Sequence, residues 1–189
     1  MMLVHWYALF VESGQEDTVQ HCLRKEFAES VLTSLVPKRR VPERKLGLIR
    51  HTVRNMFPGY VLIRTSLHPE LYYTLRRIPH VLQLLTHKKN SSNEPLEYFT
   101  LSSIPEWEIA PLLELLDEAD VMDYSTIRLH VHSQIQVVSG PLRGRERFIK
   151  KVDRHKQRAT LQLPFLGECR SIEVGIQIVY PSIEQSAPL

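Results

Sequence analysis

Val137-Val138-Ser139-Gly140-Pro141-Leu142-Arg143-Gly144-Arg145-Glu146-Arg147-Phe148-Ile149-Lys150-Lys151-Val152-Asp153-Arg154-His155-Lys156-Gln157-Arg158 is a run of turns and short strands with a dense positive charge. Two valines lead into Gly140-Pro141, a strong turn signal. Turn-forming residues flank Phe148-Ile149 and Val152, which predicts two short strands joined by the polar tip Asp153-Arg154-His155-Lys156-Gln157, a β-hairpin. From Arg143 to Arg158 eight Lys or Arg stand against two acids, Glu146 and Asp153, a local charge of +6. Such a run is either a solvated basic face or, displayed on a rigid tip, a surface that meets phosphates.

The rest of the chain carries no such excess. Residues 1–128 hold 15 Lys/Arg and 16 Asp/Glu, whereas 129–189 hold 9 and 5, so the nucleic-acid signal sits in the C-terminal part. At 189 residues, 43% hydrophobic and 24% charged, the chain has globular values and room for one medium or two small domains. Its two cysteines, Cys22 and Cys169, form no C-x-x-C pair, which argues against a disulfide scaffold or a zinc knuckle. No apolar run reaches the length of a membrane span, and Met1-Met2-Leu3-Val4-His5 lacks the regions of a signal peptide, so a cytoplasmic protein with no membrane partner is expected.

Toward the N-terminus, His5 to Val11 alternates as a strand with Trp6, Ala8 and Phe10 on one face and Tyr7, Leu9 and Val11 on the other. Both faces are apolar, which predicts a central strand. Gly14 breaks the run, Glu16 and Asp17 suit a first helical turn, and Val19, Cys22, Leu23 and Phe27 continue at helical spacing. A strand over 32–36 is followed by Pro37 and Pro42 bracketing Lys38-Arg39-Arg40, read as an exposed hairpin or loop. Arg44, Lys45, Arg50, His51 and Arg54 extend the basic character, either as a solvated edge or as a minor phosphate contact. Phe57-Pro58-Gly59 turns into the strand 60–63, a helix is expected over 66–79, and a strand over 81–85. Strand, helix, strands, helix, strand is the split βαβ order of a ferredoxin-like sheet. A polar loop over 88–95, a terminal helix through Leu112, Leu113, Leu115 and Leu116, and a linker over 119–129 complete the reading. Residues 106–123 contain no Lys or Arg against seven acids.

Catalytic groups are thin. His130 and His132 alternate onto one strand face without a further Cys or carboxylate at ligand spacing, the pattern of surface histidines rather than a metal site. Asp153, His155 and Lys156 imitate a ribonuclease constellation, but they crowd one small turn, which suits phosphate and base contacts better than catalysis. There is no P-loop, dinucleotide fingerprint or nucleophile elbow. A non-enzyme without cofactor or metal is expected, with an RNA-processing enzyme as the remote alternative.

The Gly140-Pro141 turn, the basic strand, Leu161-Gln162-Leu163-Pro164-Phe165-Leu166-Gly167 and Ser171-Ile172-Glu173-Val174 resemble a KOW domain, the SH3-like β-barrel that ends NusG-type transcription factors. His5-Trp6-Tyr7-Ala8-Leu9-Phe10-Val11, Gly14, Glu16, Pro37-Lys38-Arg39, Arg44-Lys45 and Phe57-Pro58-Gly59-Tyr60-Val61-Leu62-Ile63 resemble the NGN domain of the same family. Two modules in the family's order cover nearly the whole chain. The implied fold class is α+β: a ferredoxin-like NGN domain over 1–118, a linker over 119–129 and an all-β KOW barrel over 130–182. Lys150 to Lys156 and Leu163 to Gly167 are most similar to LoaP, a specialised antitermination branch of the family.

The resemblance implies docking on the clamp helices of the largest RNA polymerase subunits through an apolar pocket, matched here by Phe10, Phe57 and Tyr60. The same aromatic residues suit a core. The family's contact across the polymerase cleft falls on Tyr72, Tyr73 and Thr74, where this chain lacks the short polar signature of some paralogues. General NusG proteins carry acids where this chain has Lys150 and Lys151, a reversal that turns repulsion of phosphate into attraction. The implied RNA contacts are Arg143, Arg145, Arg147, Lys150, Lys151, Arg154, His155, Lys156 and Arg158, made to a nascent leader hairpin by a monomer, with non-template DNA as a further contact of the first domain. The same-family alternative is a general elongation factor whose barrel contacts Rho or a ribosomal protein through Pro164 to Glu168. Glu168 stands where general factors carry a base, and Arg147 where KOW motifs carry glycine, which implies either strain or a reshaped turn.

Overall fold

The computed structural model describes residues 3–85, 103–129 and 135–180. His130, His132 and the loop expected over 88–95 lie outside them. The chain divides into two compact units. The first comprises Met1–Lys38, Asn55–Leu113 and Phe165–Gly167, and the second Arg39–Arg54, Glu114–Pro164 and Glu168–Leu189.

The first unit is built on a four-stranded sheet in the order β2-β5-β1-β6, where β1 is His5–Val11, β2 Leu32–Leu35, β5 Tyr60–Thr65 and β6 Val81–Leu84. β1 pairs antiparallel with β5 and β6, and β5 antiparallel with β2, so β1 and β2 run parallel with β5 between them. That is the ferredoxin-like arrangement, with β1 inside the sheet as its two apolar faces predict. Helix α1, Glu16–Glu26, follows β1, and α2, Pro69–Leu75, follows β5. Tyr7, Leu9 and Val11 pack with Val19 and Leu23 of α1 and Leu71 and Leu75 of α2 in one buried core. α2 is shorter than the expected 66–79 because Pro69 fixes its first turn and the chain leaves through turns over 76–80 that bury Ile78. A third helix, α3, Glu106–Leu113, buries Ile109 and Leu112. Leu115 is buried just beyond it, so the leucine run is part helix and part turn.

The second unit contains a five-stranded sheet in the order β10-β11-β12-β8-β9: β8 is Ser125–Leu129, β9 Ile135–Ser139, β10 Ile149–Asp153, β11 Arg158–Phe165, whose last residue counts with the first unit, and β12 Glu168–Val179. β11 alternates without fault, burying Ala159, Leu161, Leu163 and Phe165. The twelve residues of β12 serve two partners, and Ile176–Val179 runs parallel to Ser125–Arg128. The segment expected as a linker over 119–129 therefore contains β8 as well as β7, Val121–Met122. β7 joins β3, Lys38–Lys45, and β4, Leu48–Asn55, in a three-stranded sheet ordered β4-β3-β7.

Lys38-Arg39-Arg40, expected in an exposed hairpin or loop, opens strand β3 of the β3–β4 hairpin but is half-buried rather than exposed. Lys38 pairs with Asp17 at 2.7 Å and Arg40 Nε with Asp123 Oδ1 at 2.9 Å, while burial lowers the affinity of the Arg39 guanidinium for its proton. The hairpin turn falls later, at Leu46-Gly47, both with positive φ as a two-residue hairpin turn requires. Pro42 sits within β3, buried.

Gly140 answers to the turn reading of Gly140-Pro141. Its φ is +93°, and a Cβ there would lie 2.5 Å from the Tyr124 carbonyl oxygen and 2.6 Å from Ser125 Cα, both backbone. Ser125 Oγ, wholly buried, accepts the Leu142 amide at 3.0 Å and fixes the same turn. Gly140→Ala is expected to cost roughly 2–4 kcal/mol, combining a left-handed backbone with overpacking, read as a lowered urea midpoint with unchanged m-value.

Candidate nucleic-acid interface

The β10–β11 hairpin carries the basic cluster in an ordered form. Its register slips between Ile149, opposite Leu161, and Lys151, opposite Thr160. This bulge explains why Lys150 and Lys151 are both exposed: strict alternation sends neighbouring side chains to opposite faces, and one extra residue breaks it. At the tip, Asp153 Oδ1 accepts the Lys156 amide at 2.9 Å, and Gln157 takes φ +51°, unusual for a residue with a side chain. His155 and Lys156 stand exposed on that turn with Arg154.

The Lys156 amide, followed by other backbone and side-chain contributions, holds the Asp153 carboxyl below its ordinary 3.8. Its contribution to the turn is complete above 3.8 and disappears as pH falls through the lower folded value. The Lys156 amide resonance is therefore expected to titrate with a midpoint below 3.8, which proton–nitrogen correlation spectra across pH 2–6 measure.

The nine candidate RNA contacts separate into two groups. Arg143, Arg147, Lys150, Lys151, Arg154, His155 and Lys156 are exposed. Arg147 lies in a short 3-10 turn, Glu146–Phe148, with its guanidinium carbon 4.9 Å from the Phe148 ring centre. Its φ is not positive, so the arginine carries no left-handed strain at this position. Arg145 and Arg158 are committed within the protein. Arg145 donates through Nε and Nη2 to Glu114 Oε2 at 3.0 and 2.8 Å. Arg158 donates to Glu173 Oε2 at 2.8 Å and to the Pro42 carbonyl at 2.7 Å. The sequence alone gave no means of telling these two from their neighbours, since their acceptors lie 15 to 116 residues away.

The β3–β4 hairpin adds Arg44, Lys45, Arg50, His51 and Arg54, all exposed. Arg54 forms a two-pronged pair with Glu43, at 2.9 and 3.0 Å, and His51 Nδ1 lies 2.7 Å from the Tyr124 hydroxyl.

The aromatic candidates meet in the first unit. Phe10 and Tyr60 are direct cross-strand partners on β1 and β5, ring centres 5.6 Å apart. Phe10 is 37% exposed and Tyr60 half-buried. Phe57 is buried, stacked parallel on Phe165 at 3.7 Å, and Phe165 meets Tyr60 edge-on at 5.4 Å. Two buried carboxylates set this geometry. Glu16 accepts the Gly14 and Gly59 amides at 2.9 and 2.6 Å, tying down the turn after Phe57-Pro58. Glu108 accepts the Gly167 amide at 3.1 Å, tying down the turn after Phe165. The three α2 candidates do not join this cluster. Tyr73 is largely exposed, Tyr72 packs against the core with Arg76 over its ring, and the Thr74 hydroxyl donates to the Glu70 carbonyl.

Among the described residues no three His, Cys, Asp or Glu side chains gather as a metal site, and no helix is long and apolar enough to cross a membrane.

Comparison with known proteins agrees with this architecture. The family model "Transcription termination factor nusG" matches residues 4–108. The "Transcription termination/antitermination protein NusG" of Staphylococcus aureus strains Mu50 and N315 is 26% identical over 187 residues, covering 95% of this chain and 94% of the relative. The solved structure "Domain interaction in Thermotoga maritima NusG" superposes with a TM-score of 0.53 at 18% identity, covering 92% of this chain and 94% of the other, a likeness of fold.

Proposed function

This chain belongs to the NusG family of transcription termination/antitermination factors, and we propose that within it the protein acts as an antitermination and elongation factor of the LoaP type. It docks on the clamp helices of RNA polymerase through an NGN domain and binds a nascent leader RNA hairpin through a basic KOW domain. One observation carries this reading: Lys150 and Lys151 are exposed together by a strand bulge, with Arg154, His155 and Lys156 on the same hairpin and Arg147 in the turn that leads into it. Cations fixed on a β-hairpin match the phosphate-and-shape recognition that structured RNA demands. Holding the polymerase clamp in its elongating state then disfavours the pause that precedes termination, which is differential binding of one state over another.

In this reading Phe10, Phe57 and Tyr60 form the polymerase-docking face. Tyr72, Tyr73 and Thr74 face the other side of the cleft, and Lys45 and Arg50 meet non-template DNA. The test is single-round transcription in vitro through an intrinsic terminator placed behind candidate leader hairpins. Read-through that rises several-fold with the intact hairpin and not with a scrambled one supports the antiterminator. Read-through indifferent to the leader, together with binding to Rho or to a ribosomal protein, assigns the chain to general elongation factors instead.

A further inference from the structure

We propose that a cavity between the β3–β4 hairpin and the β10–β11 tip, both within the second unit, receives one unstacked nucleotide of the bound RNA, an inference that rests on the RNA-binding reading above. The cavity measures about 370 Å³. Sites for small ligands run from about 300 to 1,000 Å³, so it has room for a single nucleotide and none for a duplex.

Its lining has two chemistries. Pro42 and Ile49 supply an apolar floor, with Ile49 left 47% exposed. They share a side of the β3–β4 hairpin. The Glu43–Arg54 pair marks the opposite face, and alternation along each strand then places Pro42 and Arg44 of β3 with Ile49 and His51 of β4. Arg44 and Lys156 supply charge at the rim, and His155 a planar ring. Arg158 also lines the cavity, but its guanidinium is held by the Pro42 carbonyl and Glu173, so it acts as a fixed wall.

Gln157 is the remaining wall, and its φ of +51° is a conformation that a side chain adopts at a cost. The Asp153 cap on Lys156 holds the turn in that shape. A primary amide at this place carries both donors and an acceptor, the equipment for reading the edge of a base. A site for phosphate alone has no use for Ile49, and a site for an apolar ligand has none for Arg44 and Lys156. A base stacked on an apolar floor with its phosphate at the charged rim uses all of them.

The test uses the full chain and two RNA hairpins with the same stem, one fully paired and one with a single unpaired 2-aminopurine. Wild type is expected to bind the second about tenfold more tightly, the scale of one base stacked on a side chain, with a change in 2-aminopurine fluorescence. Ile49→Ser, exposed and charge-neutral, and Gln157→Gly, which suits the positive φ, are expected to abolish the preference while binding the paired hairpin within twofold of wild type. Variants that keep both the preference and the fluorescence change overturn the proposal, as does a wild type that binds both hairpins equally, which leaves the RNA-binding reading intact. A wild type that binds neither hairpin in 50 mM salt removes that reading and this one with it. A nucleoside 5′-monophosphate that binds the cavity while no hairpin preference exists makes it a site for free nucleotides and overturns the RNA assignment.

Discussion

Lys150→Glu with Lys151→Glu is expected to weaken hairpin RNA binding by at least about 30-fold near 0.1 M salt and to lower the slope of log K against log salt by about two. Each lysine that meets a phosphate releases close to one counterion, so removing two contacts removes two from the slope, and the new carboxylates add repulsion. Thermal stability is expected to stay at the wild-type value, because both side chains are exposed and neither carries a hydrogen bond within the hairpin. Arg158→Ala gives the opposite profile. It strips the Pro42 carbonyl and Glu173 of their donor and is expected to cost roughly 1–3 kcal/mol of stability with little change in salt slope. Filter binding across a salt series, paired with thermal melts, separates the two. An unaltered affinity in the double lysine variant assigns the cluster to a solvated face.

These two outcomes also mark where sequence stops being informative. β1 was legible as an interior strand because both its faces are apolar, and the β10–β11 hairpin because turn residues sit at its ends. The tip at 153–157 followed from local polarity alone. The bulge that exposes both lysines did not, since it depends on which residue of β11 stands opposite Ile149. Nor did the commitment of Arg145 and Arg158, which is decided by acceptors far along the chain. Local pattern reports what a residue can do, and tertiary pairing decides whether it is already occupied. β8 was hidden in the expected linker for a related reason: Ser125, Thr126 and Arg128 weaken the apolar pattern, and the strand is secured by its parallel partner, Ile176–Val179.

Phe165→Ser is expected to raise affinity for RNA polymerase about two- to tenfold, while Phe10→Ala and Tyr60→Ala each lower it by about 30-fold or more. If Phe57 belongs to the docking face, polymerase must meet a ring that Phe165 now covers at 3.7 Å, the two planes within 3° of parallel. Offset and edge-on aromatic pairs contribute about 0.5–1.5 kcal/mol beyond their buried area, and a face-to-face stack with centres 3.7 Å apart gains no more than that, so the range caps the gain when the cover is removed. Phe10 and Tyr60 flank the stack as cross-strand neighbours, and large aromatic anchors at the centre of an interface typically contribute about 2 kcal/mol or more. Glu108→Gln serves as a milder form of the Phe165 variant. It weakens the acceptor for the Gly167 amide, loosens the turn that carries Phe165, and leaves every aromatic ring in place. Affinities measured on core polymerase by fluorescence anisotropy decide among these. A gain in both Phe165→Ser and Glu108→Gln with a loss in Phe10→Ala makes Phe57 and its neighbours the docking face. A loss in all of them means the stack itself is the structural element that polymerase recognises, and Phe165 then belongs to the interface rather than standing in its way.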